Sequence, residues 1–246
     1  MRIPPLLCVL ATGAALAAEP PLQLAPLVQE ALRHNAGNAT APFEQRKLVS
    51  RVKQAYVRLR HAWRVQESIE RDRELLRNLL RAAEASYSSG KGLEQDALKA
   101  QLQISLLEPR LIEAQSEMGA GEAELNALLG RPPDSPLGRP ADDAPRMLDI
   151  PREEQQEKAA VTLTGYRTAR VAAAQWDVYE RTILPQARFA AHASLVSYES
   201  GASDFLNALA GYTAVIDAEK KRDDLELDFF LALVRLEELT GAELIH

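Results

Sequence analysis

The chain has little of what β-proteins and nucleic-acid-binding proteins depend on. Of its 246 residues only 12 are glycine and 5% are aromatic, although 46% are hydrophobic. β-Sandwiches need turn glycines and aromatic cross-strand pairs, so this composition favours long helices with seams rich in alanine and leucine. Acidic residues outnumber basic ones by 35 to 29, which gives a net charge of −6. Because nucleic-acid binding needs a basic surface, we expect no nucleic-acid partner.

Cysteine and long apolar runs are also scarce. The single cysteine, Cys8, lies in an N-terminal segment with a positive start, an apolar stretch from Leu6 to Leu16 and a small-x-small motif at 15–17. These are the features of a signal peptide, so we expect residues 1–17 to be removed on export. The mature chain would begin at or near Ala18 and would have no disulfide. No later apolar run is long enough to predict a transmembrane helix.

Glycine and proline mark where the expected helices end. The segment 131–151 carries six prolines and is expected to be a semi-rigid linker. Two further prolines, Pro109 and Pro185, are expected to kink the helices that contain them. Ala160–Tyr166 is the one stretch with a strand-like composition. The expected helices span residues 25–34, 43–88, 93–129, about 152–200 and about 202–240.

The first two long helices carry seven-residue repeats of apolar and small residues. Such a repeat keeps one seam facing a partner helix and implies left-handed supercoiling. The first seam consists of Leu48, Ala55, Ala62, Ile69, Leu76 and Ala83. The second has Ala97, Ile104, Leu111, Met118 and Leu125 at position a, and Ala100, Leu107, Ala114, Gly121 and Leu128 at position d. Other apolar residues lie off this second seam, so we expect a further contact surface and self-association; they are Leu98, Leu102, Leu106 and Ile112.

An internal repeat organises the chain. The motif Tyr87-x-x-Gly90 recurs as Tyr198-x-x-Gly201, and Gly130 after a Leu-x-x-Leu motif recurs as Gly241, both at an offset of 111 residues. A repeat at one offset without gaps indicates two copies of one supersecondary unit. We therefore predict an all-α fold of two tandem long antiparallel helical hairpins with few or no strands. The predicted segments are a signal peptide (1–17), a short helix and lead-in (18–42), the first hairpin repeat (43–130), the Pro-rich linker (131–151) and the second hairpin repeat (152–246).

Residues that would indicate catalysis or metal binding do not form a pattern. The four histidines have no metal-ligand spacing, and there is no Gly-rich phosphate loop and no nucleophile elbow. We expect no enzyme activity, no catalytic residue, no cofactor and no metal site. The charge run from Glu219 to Asp224 is predicted to be a solvated face with pairs such as Lys220–Asp224. Arg222 nevertheless falls on the projected seam, which implies a local slip of the coiled-coil phase.

These motifs resemble the TolC-type outer-membrane efflux family, in particular its heavy-metal and cation branch. The resemblance rests on Tyr87-x-x-Gly90 followed by Asp96-Ala-Leu, on Leu125-Asn-Ala-Leu-Leu-Gly-Arg-Pro-Pro133, on Ile183-Leu-Pro185 before Tyr198-x-x-Gly201, and on the closing Leu236-Glu-Glu-Leu-Thr-Gly241. In that family each of two repeats also supplies a strand pair to an outer-membrane barrel. Here the long helices begin almost directly after Asn35 and Pro151, so the resemblance implies the adaptor-facing helical half without the strand pairs.

The resemblance also implies a function and a site. Family members are trimers, and their Tyr-x-x-Gly turns meet the helical hairpins of a periplasmic membrane-fusion adaptor. The implied docking residues are Tyr87, Ser89, Gly90, Lys91, Gly92, Leu93, Tyr198, Gly201, Ala202, Ser203 and Asp204. Asp96 and its repeat counterpart Asn207 are implied candidates for the tunnel constriction. Without that role, these turns are ordinary capped hairpin turns.

The resulting functional prediction is a TolC-like outer-membrane-factor component of a tripartite efflux system that supports export of metal ions or small molecules. It would be exported to the periplasm and associated, directly or indirectly, with the outer membrane. Two alternatives stay open: a free periplasmic helical scaffold that binds a partner, and a channel remnant without transport activity. Membrane fractionation distinguishes a channel component from a soluble scaffold.

Overall fold

A computed structural model describes residues 21–141 and 159–245. The predicted signal peptide and residues 142–158 of the linker and second repeat lie outside these ranges. The described residues form helices and contain no strand, which confirms the predicted all-α class. The helices are α1 (Leu24–His34), α2 (Pro42–Ser88), α3 (Glu94–Ser105), α4 (Glu108–Leu129), α5 (Ala159–Val178), a π-helical turn (Tyr179–Ile183), α6 (Leu184–Glu199) and α7 (Phe205–Thr240).

Ala160–Tyr166, the stretch with strand-like composition, is helical, as expected for the segment from about 152 to 200. It lies in α5, which packs along α7. Gly165 permits this close approach, because a Cβ atom there would lie 2.9 Å from Cδ2 of Leu236.

The long helices form a layered bundle with α2 and α7 at its centre. The α3–α4 pair packs on α2, and α5 and α6 pack on α7. Side-chain bonds show that α2 and α7 are antiparallel, since Ser68 bonds Glu219 at one level and Lys53 bonds Glu237 further along. The turns after α2 and after α6 consequently lie at the same end of the bundle, and α1 lies at the opposite end.

The predicted seams form most of the core. All six seam residues of α2 are buried, as are all five d positions of the second helix, whereas Ala97, Leu111 and Met118 at a are half-buried. The core divides into two apolar clusters, one around Leu59 and Phe230 and one around Leu76 and Val215. Gly121 lets α4 approach α2, because a Cβ there would lie 3.4 Å from Leu59.

Both predicted proline kinks coincide with irregular backbone. Pro109 lies in the first turn of α4, and α3 has already ended at Ser105. Pro185 lies in the first turn of α6, directly after the π-helical turn. A proline has no N–H to bond the carbonyl four residues earlier, so the regular helix pattern is broken before each of them.

The described part of the Pro-rich segment lies against the bundle. Arg131 forms a two-pronged ion pair with Glu30 of α1, at 2.7 and 2.6 Å. The buried amide of Asn126 donates to the carbonyl oxygens of Pro133 and Ser135. Tyr56 donates its hydroxyl proton to the carbonyl of Leu22. These bonds tie α1, α2 and the end of α4 together, so residues 131–141 are part of the packed domain.

The charge run 219–224 is not the solvated face that was predicted. Glu219, Arg222 and Asp223 are buried, whereas Lys220 and Lys221 are exposed. The buried members point from α7 towards α2 and towards the π-helical turn, where Arg222 donates to Glu180 at 2.8 Å. The predicted position of Arg222 on the seam is confirmed. This part of the charge run therefore faces inward.

Candidate docking tips

The first tip, residues 87–93, is a turn built around one left-handed glycine. Gly90 has φ of +72° and donates its N–H to the carbonyl of Tyr87 at 2.9 Å. The next two N–H groups, of Lys91 and Gly92, both donate to Ser86 at 3.0 Å. Residues that carry a side chain rarely adopt positive φ, so this turn strongly favours glycine at position 90.

The second tip, residues 198–204, repeats this geometry at the matched positions. Gly201 has φ of +77° and donates to Tyr198 at 2.9 Å. Ala202 and Ser203 both donate to Ser197, at 2.8 and 3.1 Å. The two turns therefore have the same backbone hydrogen bonds as well as the same sequence motif, and both lie at one end of the bundle.

The side chains of the two tips differ although their backbones agree. Tyr198 is 8% exposed and packs edge-on against Phe205, with ring centroids 5.7 Å apart. The matched Tyr87 is 50% exposed. Asp204 caps α7 by accepting the N–H of Asn207 at 2.8 Å, whereas the matched Leu93 gives α3 no side-chain cap and is 58% exposed.

The two constriction candidates have unlike environments. Asp96 lies in the first turn of α3, is nearly buried, and is 3.8 Å from the ammonium of Lys99. Asn207 is exposed and bonds within its own tip, through its N–H to Asp204 and its amide to Ser203 at 2.9 Å. The carboxylate is therefore partly neutralised within the chain, and the amide is already hydrogen-bonded.

Exposed apolar side chains follow both outer edges of the bundle. On α3 and α4 these are the four residues that were expected to form a second contact surface: Leu98, Leu102, Leu106 and Ile112. The opposite edge carries a set that the sequence analysis missed: Leu163, Val171, Val178, Phe189 and Val196. The seven-residue spacings of 171 to 178 and 189 to 196 were the available signal. An apolar stripe of this kind marks an interaction surface.

A buried charged belt, also missed from the sequence, crosses the middle of the bundle between the two apolar clusters. Glu219 accepts hydrogen bonds from Arg188 at 2.5 Å and from Ser68 at 2.8 Å. Burial alone would raise the pKa of Glu219, but these two donors hold it below its usual value. Glu226 is paired with Arg64 at 2.7 Å, so most of the belt is internally compensated.

Two carboxylates of this belt are less well compensated. Neither oxygen of Asp72 has a hydrogen-bond donor among the described residues, and burial raises its pKa to about 7, with the neighbouring Glu219 adding to the effect. Burial also raises the pKa of Asp223 to about 6, although Arg222 lies 2.8 Å away. Desolvation outweighs that ion pair, because its geometry is too poor to count as a hydrogen bond.

A cavity of about 550 Å³ opens between α1, the start of α2 and the C-terminal segment, with mainly apolar walls. Within residues 21–141 and 159–245 no three metal-ligating side chains are grouped together. None of the helices in these ranges combines the length and apolarity that a bilayer crossing requires.

No protein-family model matches the chain, and neither does any curated protein. Solved structures do. The outer-membrane channel OprN matches with a TM-score of 0.63 at 15% identity, over 89% of this chain and 70% of that one. VceC, an outer-membrane protein of Vibrio cholerae, matches with a TM-score of 0.68 at 14% identity, over 90% of this chain and 75% of that one. CusC, described for its transmembrane channel formation, matches with a TM-score of 0.67 at 13% identity, over 89% of this chain and 74% of that one. The chain therefore has the helical fold of TolC-type outer-membrane efflux channels.

Proposed function

We propose that this chain is a TolC-like outer-membrane-factor component of a tripartite efflux system. Its two tips dock a periplasmic membrane-fusion adaptor, and the assembly supports export of metal ions or small molecules. The observation that carries the proposal is the pair of identical glycine turns at one end of a bundle with an efflux-channel fold. Exposed turns on a rigid scaffold are common places for partner contacts. Structural neighbours that are channels also favour a role other than catalysis.

Self-association is part of this proposal. Both outer edges carry exposed apolar side chains. A contact between unlike edges of neighbouring copies forms a closed ring if repeating the rotation between copies returns to the first one. The α3–α4 edge of one copy would then cover the α5–α6 edge of the next, and the resemblance implies three copies. Such a contact removes both apolar stripes from water.

The proposal includes the segment assignment made from the sequence. Residues 1–17 direct export, 18–42 form the lead-in, and 131–151 join the two hairpin repeats, 43–130 and 152–246. Docking involves both tips, and Asp96 and Asn207 lie near the constricted end of the tunnel. The protein is located in the periplasm in association with the outer membrane. N-terminal sequencing of the mature protein should begin at or near Ala18, and a retained Met1 would contradict the export assignment.

Fractionation combined with affinity capture tests the function. The full chain should sediment with the outer membrane and capture a membrane-fusion adaptor that mass spectrometry identifies. The double variant Gly90→Val and Gly201→Val should lose the adaptor and retain its helicity, because positive φ is strained for valine while a Cβ at either position has open space.

The alternatives give other results. A soluble protein that still captures the adaptor would be the periplasmic scaffold. A chain that neither sediments with the membrane nor captures an adaptor would be a remnant. Unchanged capture by the double variant would exclude the tips as the docking site.

A further inference from the structure

We infer that the two tips are not equivalent: the first tip makes the apolar contact with the adaptor, and Leu93 is its anchor. This inference rests on the proposed function, because it concerns the same docking surface. It says which of two turns with the same backbone geometry provides the binding energy and what chemistry the partner must bring.

The matched positions of the two tips carry the inference. In the second tip the tyrosine ring is buried against Phe205, and Asp204 caps the helix, so that tip covers its own aromatic ring and caps its own helix. In the first tip the position matched to Phe205 is Glu94, so Tyr87 has no aromatic partner there and remains half exposed. Leu93 stands where the second tip has its capping carboxylate.

Leucine at position 93 lowers the stability of the start of α3, and no local structural role explains why it stands there. Leucine is among the poorest residues at a helix N-cap, where aspartate is among the best. The backbone at Leu93, with φ −106° and ψ 141°, is extended like that at Asp204, with φ −85° and ψ 165°. Aspartate would therefore fit at position 93. The chain instead holds an exposed apolar side chain there, which is the arrangement expected of a contact residue.

The position and charge of the patch indicate its partner. Tyr87 and Leu93 are both exposed in the turn at the end of the bundle, and a second copy packed against the lateral stripes of α3–α4 or α5–α6 would leave that end uncovered. Lys91, exposed between them, has no ion pair within the described ranges. The complementary surface is a narrow hairpin end with an apolar side chain beside a carboxylate. We commit to the hairpin end of the adaptor as the occupant.

Photo-crosslinking in the cell tests this directly. The full chain carries benzoylphenylalanine at position 93 or at the matched position 204, and mass spectrometry identifies the crosslinked peptides. We expect position 93 to yield hairpin-end peptides of a membrane-fusion adaptor and position 204 to yield far fewer. Equal or stronger crosslinking from 204 would overturn the inference and leave the proposed function intact. Adaptor peptides from neither position would overturn both, and crosslinks from 93 to a second copy would replace the assigned occupant.

Binding to the purified adaptor identified in this way gives the energetic test. Leu93→Asp should raise Kd about tenfold or more, as loss of an apolar anchor does. Its melting temperature should equal or exceed that of the wild type, because aspartate caps α3. The matched variant Asp204→Leu should lower the melting temperature and raise Kd less than Leu93→Asp does. A Leu93→Asp variant that is stable and binds normally would refute the anchor role.

Discussion

Replacing Asp72 with asparagine should stabilise the protein at alkaline pH. The carboxylate is 1% exposed and belongs to the belt between the two apolar clusters. Its surroundings include Glu219 and Asp223 of α7, which disfavour its charge, and Arg71 and Arg110, which favour it. No described donor bonds either oxygen. Asparagine has nearly the same shape and carries no charge, so the substitution isolates the cost of burying the ion.

The size and sign of the effect follow from proton linkage. The pKa of Asp72 rises from 3.8 to about 7 on folding. At low pH both the folded and the unfolded forms are protonated, and the group costs nothing. As the pH rises through the window between these values, the unfolded chain ionises first, so the free energy of unfolding falls. Above the folded pKa the full penalty is present, about 4 kcal/mol at most. The gain from Asp72→Asn should be smaller, because the buried amide also lacks partners.

Urea unfolding followed by circular dichroism measures this effect. The wild type should lose stability between about pH 4 and pH 8, and Asp72→Asn should flatten that dependence and be the more stable protein at about pH 8. Glu219→Gln is the matched control, since the pKa of that buried carboxylate is lowered by its donors Arg188 and Ser68. Because the charge of Glu219 also disfavours that of Asp72, this variant is compared in the Asp72→Asn background, where it should destabilise the protein in the same alkaline range. An Asp72→Asn variant no more stable than the wild type there would refute the uncompensated charge.

Two further predictions concern a buried ion pair and two left-handed glycines. Glu237→Gln should lower the free energy of unfolding by about 3 kcal/mol in urea titrations, because Lys53, 2.8 Å away, would remain buried without its counter-charge. Gly90→Ala and Gly130→Ala should each cost about 1 kcal/mol, because both glycines have positive φ and the exposed ring of His34 can move away from a Cβ at position 130. Unchanged melting temperatures for both alanine variants would contradict the left-handed conformation of these glycines.

The helix boundaries were predictable because single residues determine them. The expected 43–88 is observed as Pro42–Ser88, and the left-handed glycines at 90, 130, 201 and 241 end the four predicted long segments. Proline and glycine act through their own backbone geometry, so their effects do not depend on the rest of the fold. The seven-residue seam of α2 was predictable for a similar reason, since helix periodicity alone selects its buried face.

The remaining features depend on contacts between distant parts of the chain. A run such as 219–224 has the composition of a solvated face, and its burial depends on α2 and the π-helical turn lying against it. The burial of Tyr198 and the exposure of Tyr87 depend on whether the residue seven positions later is Phe205 or Glu94. The motif specified the two turns but not the surfaces they present.

The charged belt lies beside the irregular turns of the outer helices. Arg73 of α2 bonds Glu108 at the start of α4, and Arg222 of α7 bonds Glu180 in the π-helical turn. A straight α-helix drifts by about 20° per heptad from a seven-residue repeat, so long seams must supercoil or be reset. On the α5–α6 edge the exposed stripe steps by eleven residues from Val178 to Phe189, across the π-helical turn, instead of by seven. Where the spacing of the stripe changes in this way, apolar side chains cannot continue one regular interlocking pattern. Ion pairs have looser shape requirements, and they occupy the level where the two apolar clusters separate.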